Sequence, residues 1–213
     1  MRSSWRVGQW RGIPISLHWT VFIGIAWFLY QTRSLVDTGV AFAAFCFLLL
    51  VHELGHAAVA RWRHVDVDKI HLYFLHGNCS HEVPDYELDD VLIAWGGVAA
   101  QLVVLVFALG ADLLLATASP LALVLASPLL HVFIATNLFI MVVNLIPVAP
   151  LDGAKAWRIV PILAEWAKET SWAHKLRRWK AAREAARSKK LEAESERIAA
   201  GIIEQLKKRK SDV

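Results

Sequence analysis

From Val40 to Ala60 the only strongly polar side chains are His52, Glu53 and His56, and this run constrains the fold more than any other feature of the chain. About 20 consecutive apolar residues suffice for a helix to cross the hydrocarbon core of a bilayer. On such a helix the two histidines, four positions apart, project from one face and can reach the same metal ion. Glu53 lies beside them, placed to exchange protons with water, which is the His-Glu-x-x-His pattern of zinc hydrolases. Ionisable side chains inside a bilayer-length run are expensive, so a cluster of them points to chemistry within the membrane.

Three more apolar runs accompany it: Ile15 to Tyr30, Val91 to Ala118, and Pro128 or Leu129 to Val148. Leu121 to Ala126 either lengthens the last run or forms a separate interfacial piece. With 56% hydrophobic residues and a mean hydropathy of +0.43, the composition suits a polytopic membrane protein rather than a soluble domain. The expected fold is therefore all-α with four transmembrane helices, a three-helix core preceded by one N-terminal span. Arg2, Arg6 and Arg11 precede the first run, while its following loop carries only Arg33. Counting cations places the N-terminus in the cytoplasm, and four spans return the C-terminus to the same side. The first run ends in Trp27-Phe28-Leu29-Tyr30 without a small-residue cleavage site, which reads as an uncleaved signal anchor.

Two histidines do not complete a catalytic metal site. A metzincin would continue with Gly and His at the positions held here by Val59 and Trp62, so that soluble-protease reading fails. A better third ligand is Asp152, in Asn144-Leu-Ile-Pro147-Val-Ala-Pro150-Leu-Asp152-Gly153 at the end of the fourth run. Pro147 and Pro150 break the helix and Gly153 permits a tight turn, leaving Asp152 on unwound backbone. Such backbone at membrane depth must be buried in protein or face a polar cavity. The second and fourth spans run in the same direction, so both half-sites arrive at the cytoplasmic end.

These residues resemble the site-2 protease family of intramembrane zinc metalloproteases. The resemblance rests on Phe47 through His56 and Asn137 through Gly153, with further support from Gly12 through Trp19 and from Gly96-Gly97, and covers about residues 10 to 155. It implies one zinc ion held by His52, His56 and Asp152, Glu53 as catalytic acid/base, and Asn144 as a substrate- or oxyanion-contacting residue. The family's third-span pattern resembles Gly-Pro-x-x-Asn, where this chain reads Gly97-Val98-Ala99-Ala100-Gln101, and its Asp-Gly-Gly is here Asp152-Gly153-Ala154. The implied partners are a transmembrane protein substrate, the lipid bilayer, and an upstream protease or regulatory membrane protein. A catalytically silent scaffold or chaperone of the same family and a metal-handling membrane protein or transporter are the alternatives.

Between the second and third spans, Val65, Val67, Leu72 and Phe74 alternate and Gly77-Asn78 signals a turn, so a short β-hairpin at the membrane surface is expected. Its exposed edge could hold unwound substrate. His64, His71, His76, Cys79 and His81 match no zinc template, and Cys46 and Cys79 are read as structural. Asn137 and Gln101 are expected to form interhelical hydrogen bonds. His18, Asp112 and His131 lie within apolar spans without an assigned role.

The domains expected are a basic cytoplasmic N-terminus over 1–14, an intramembrane protease domain over 15–155, and an interfacial segment with a basic cytoplasmic helical tail over 156–213. In that tail Trp157 and Trp166 suit the headgroup level, and Leu176, Trp179, Ala186, Ile198, Ile202 and Leu206 form an imperfect helical stripe. Glu192, Glu194 and Glu196 interrupt its basic stretch, so nucleic acid is not an expected partner. Oligomeric state is left open.

Overall fold

The computed structural model describes residues 4–74 and 77–211, with the side chains of 169–173, 193 and 196–211 outside the description. Two units divide the chain, Met1–Ile159 and Val160–Val213. In the first, strands β1 (Ser4–Trp10) and β2 (Ile13–His18) lead through a 3-10 turn (Trp19–Phe22) into α1 (Ile23–Thr32) and α2 (Leu35–Trp62). Strands β3 (Val67–Leu72) and β4 (Gly77–His81) follow, then α3 (Glu87–Ala118) and α4 (Pro120–His131). A π turn (Val132–Thr136), α5 (Asn137–Asn144) and the short α6 (Gly153–Ala156) complete this unit. The second unit is helical: α7 covers Ile159–Ser211. The stripe positions Ile198, Ile202 and Leu206 fall outside the described side chains, and His76 outside the described backbone.

Three helical stretches among the described residues are long and apolar enough to cross a membrane: Leu35–Trp62, Glu87–Ala118 and Pro120–Asn144. Leu121 to Ala126 thus lengthens the last stretch. Pro128 interrupts it by removing one N–H, and the Ser127 hydroxyl donates to the Val124 carbonyl left without that partner, at 2.8 Å.

The expected first span, Ile15 to Tyr30, is not a continuous helix. Ile13 to His18 form β2, and α1 alone rises about 15 Å, half of a hydrocarbon core of about 30 Å. Ile13, Ile15 and Leu17 face the core at period two, the pattern of a strand with one buried face.

The four strands form one sheet in the order β1-β2-β3-β4, a larger β element than the all-α expectation contained. β1 pairs antiparallel with β2, and β3 pairs antiparallel with β4. Between them β2 runs parallel to β3, with Ile15, Ser16 and Leu17 opposite Ile70, His71 and Leu72. Ile13, Ile15, Ile70 and Leu72 bury one face of the sheet in a cluster with Phe28, Phe45, Leu48 and Leu49. The N-terminal strands are therefore docked beside the chain that leaves the C-terminal end of α2.

α2 and α3 meet where Gly55 faces Gly96. A Cβ on either would strike the other's backbone, so the close approach depends on both glycines. Burial is inverted relative to a soluble protein. Gln101 and Asn137 are 0% exposed, whereas Phe107 on α3 is 76% exposed. Polar groups gathered inside and large apolar groups outside are what an apolar solvent selects, and the chain is an integral membrane protein.

Candidate active site

The helical period brings His52 and His56 one turn apart on α2, with ring centroids 4.6 Å apart and planes at 86°. Asp152 arrives from the irregular segment after α5. Its Oδ2 lies 2.9 Å from His52 Nε2 and 3.2 Å from His56 Nε2, and the two Nε2 atoms are 3.0 Å apart. A tetrahedral zinc with ligand bonds of about 2.0–2.1 Å needs donor atoms about 3.3 Å apart. The triangle is close to that size.

The outer nitrogens determine what the inner ones can do. His56 Nδ1 donates to the Ile93 carbonyl at 2.6 Å, and His52 Nδ1 donates to Gln101 Oε1 at 2.9 Å. With both Nδ1 protons committed outward, both Nε2 lone pairs face Asp152. Three acceptors converge with only the Asn144 amide as a donor beside them, an arrangement suited to a cation, and the set of two imidazoles and one carboxylate fits zinc with a fourth position open. Burial pushes the Asp152 carboxyl up, but the adjacent His52 and His56 rings, when protonated in the metal-free protein, outweigh it and hold the group well below the usual carboxylate range. Asp152 is therefore an anion at neutral pH.

Glu53 is buried beside the histidines, and its carboxylate comes within 4.8 Å of their ligand atoms. The Cys79 backbone N–H donates to it. Gly77 lies directly against the same side chain, where a Cβ would collide with the carboxylate, and a Cβ on Gly97 would meet both imidazole rings. Asn144, the last residue of α5, places Nδ2 3.4 Å from His52 Nε2. His52, Glu53, His56, Gly77, Asn144 and Asp152 line a cavity of about 400 Å³ that also reaches Asp90, Cys79 and His81.

Asp152 is held in place by the start of α3. Lys155 pairs with Asp90 at 2.8 Å, Arg158 with Glu87 at 2.8 Å, and Trp95 Nε1 donates to the Ala156 carbonyl at 3.0 Å. Trp157 Nε1 closes the turn onto the Leu145 carbonyl at 2.7 Å.

His52, Glu53, His56, Asn144 and Asp152, all singled out in the sequence, thus converge on one cavity. Among the described residues His64, His71, Cys79 and His81 form no second group able to hold a metal. Burial, then the Glu53 and Asp152 carboxylates, push the Cys79 thiol up to about 12, so it is a neutral thiol rather than a thiolate ligand. His18 is engaged elsewhere, with Nδ1 2.9 Å from Thr20 Oγ1 and its ring 4.9 Å from Tyr73. His131 borders a second, largely apolar cavity with Gln31 and Thr136.

Sequence reasoning missed the partners behind the ligands: the Ile93 carbonyl, Gly77, the Cys79 N–H, and the contact of Gln101 with His52. Gln101 carried a sequence signal, as a polar side chain in an apolar span four residues after Gly97, and Gly77 carried one only as part of a turn.

No protein-family model matches the chain. Among curated proteins, a zinc metalloprotease of Methanocaldococcus jannaschii is 30% identical over 164 residues, covering 75% of this chain and 46% of that protein. The chain therefore spans about half the length of the curated relative it matches. Among solved structures, the site-2 protease from Methanocaldococcus jannaschii matches with a TM-score of 0.58 and 26% identity, covering 74% of this chain and 71% of that one.

Proposed function

This chain belongs to the site-2 protease family, and from that premise we propose that it is an intramembrane zinc metalloendopeptidase. It hydrolyses peptide bonds in or near transmembrane segments of other membrane proteins, in regulated intramembrane proteolysis. The observation that carries the reading is the triangle of His52 Nε2, His56 Nε2 and Asp152 Oδ2, with edges of 2.9, 3.0 and 3.2 Å, beside a buried Glu53. Those three residues would hold one zinc ion. Bound there, zinc supplies a Lewis acid for the scissile carbonyl and acidifies water toward a pKa of about 7.

The chain's own residues do the rest. Glu53 accepts a proton from the attacking water and returns it to the leaving amine. Its carboxylate is held for that task by the Cys79 N–H and by the space that Gly77 leaves open. Asn144 offers an amide N–H to the developing oxyanion, a contribution of about 3 kcal/mol for a well-placed donor. A helical substrate hides its carbonyls in internal hydrogen bonds, so it must unwind locally. β4 is an edge strand whose residues Gly77, Asn78 and Cys79 border the cavity, which suits it to pair with the unwound segment.

The pairing of β2 with β3 favours an N-terminus on the same side as the site, and the arginines at positions 2, 6 and 11 make that side cytoplasmic. β2, the 3-10 turn and α1 then form a composite fourth traversal, and the C-terminus is cytoplasmic too. A scaffold or a metal carrier would have no need of Glu53 beside the ligands.

The test is Glu53→Gln in the purified full chain, with zinc content and cleavage of a single-span reporter measured together. Zinc should remain and cleavage should vanish. Cleavage at the wild-type rate would sink the mechanism.

A further inference from the structure

Gln101 is wholly buried in the apolar length of α3, and its two ends are used differently. Its side-chain Oε1 lies 2.9 Å from His52 Nδ1, while its backbone carbonyl accepts a hydrogen bond from Asn137 Nδ2 at 3.0 Å. Gln101 Nε2 and Asn137 Oδ1 are buried without partners. A buried amide that leaves its own donor unpaired while presenting its acceptor to a ring N–H is oriented by that ring.

The other contributor is the π turn. It immediately precedes Asn137, and such a turn inserts one residue into the helical register, commonly at functional sites. Asn137 and Asn144, seven residues or two turns apart, then share one face of α5. The first holds Gln101 and the second reaches His52 Nε2 at 3.4 Å. His52 is thus contacted at one ring nitrogen from α3 and at the other from α5.

We propose that Gln101 is the positioning residue of His52: its Oε1 accepts the Nδ1 proton and so keeps the Nε2 lone pair directed at the metal, while Asn137 locks Gln101 to α5. The inference rests on the zinc-protease reading. It assigns to Gln101 a function beyond interhelical contact, one that a carboxylate can also perform and an apolar side chain cannot.

The experiment measures zinc affinity of the full chain in detergent by chelator competition, with thermal unfolding of the metal-free protein alongside. Gln101→Leu should weaken zinc binding about 10- to 100-fold, the usual effect of removing such a partner, without lowering the metal-free unfolding temperature. Gln101→Glu, which retains an acceptor, should bind zinc within a few-fold of wild type or better. If Gln101→Leu is poorly produced, Gln101→Met keeps the volume without the acceptor and should show the same loss. Wild-type affinity in both apolar variants overturns the inference and leaves the protease reading standing, as does an equal loss in Gln101→Glu. A wild-type chain that takes up no zinc overturns both.

Discussion

At the residue scale, reactivity here follows from which neighbour each polar atom faces. Asp152 is the only anion among the three converging acceptors, so Asp152→Asn should lower zinc affinity at least 100-fold in the same chelator competition, with the metal-free fold retained. Gly77 makes the converse point, that a position can matter for what it lacks. Gly77→Ala would push its methyl into the Glu53 carboxylate and should cut kcat of reporter cleavage by about 100-fold, the scale of a 1 Å misplacement, while zinc content stays unchanged. Cys79 supplies a pH test. Its thiol is raised to about 12, so the neutral form persists through ordinary alkaline buffers. At pH 8 alkylation of Cys79 should run roughly a thousandfold slower than that of a free thiol of pKa about 8.5, as followed by mass spectrometry.

At the scale of elements, three attachments bring distant pieces to one depth: the Gly55–Gly96 approach, the β2–β3 pairing, and the clasp of the Asp152 segment on α3. The clasp is the weakest in energy. Lys155 is half exposed in its pair with Asp90, and exposed pairs contribute about 0–1 kcal/mol, so Asp90→Asn should weaken zinc binding less than tenfold. The glycine approach is stiffer because backbone, not a flexible side chain, stands in the way. Gly55→Val should separate α2 from α3, carry His56 from the Ile93 carbonyl, and destabilise the protein by about 1–3 kcal/mol in thermal unfolding. Legibility followed the same division. α2 and α3 could be read because their apolar runs are as long as a helix needs to cross a bilayer. Ile15 to Tyr30 could not, since the alternation of Ile13, Ile15 and Leu17 with Pro14, Ser16 and His18 is short and runs straight into an unbroken apolar stretch that reads as a span.

For the whole molecule the solvent sets the pattern, and the inverted burial turns the usual rules of substitution around. Phe107 is large and 76% exposed, yet replacing it by Leu should change stability by no more than about 0.5 kcal/mol because lipid touches it either way. Phe107→Arg should reduce membrane-inserted protein, since a cation at the centre of a spanning helix costs about 2.5–3.5 kcal/mol on insertion scales; the membrane-fraction yield checks both.

The sequence alone determined the membrane setting, the helix carrying His52, Glu53 and His56, and the break in the fourth run that frees Asp152. Each of these is local: a run length, a period of 3.6, a pair of prolines. Only the tertiary structure decided that residues 13–18 pair with 67–72, that Gln101 and Ile93 hold the outer nitrogens of the histidines, and that Gly77 abuts Glu53. These contacts join positions tens of residues apart, and their geometry depends on register and on the angle between packed elements. No single stretch of chain carries that information, because it arises only when several stretches exclude lipid from the same small volume.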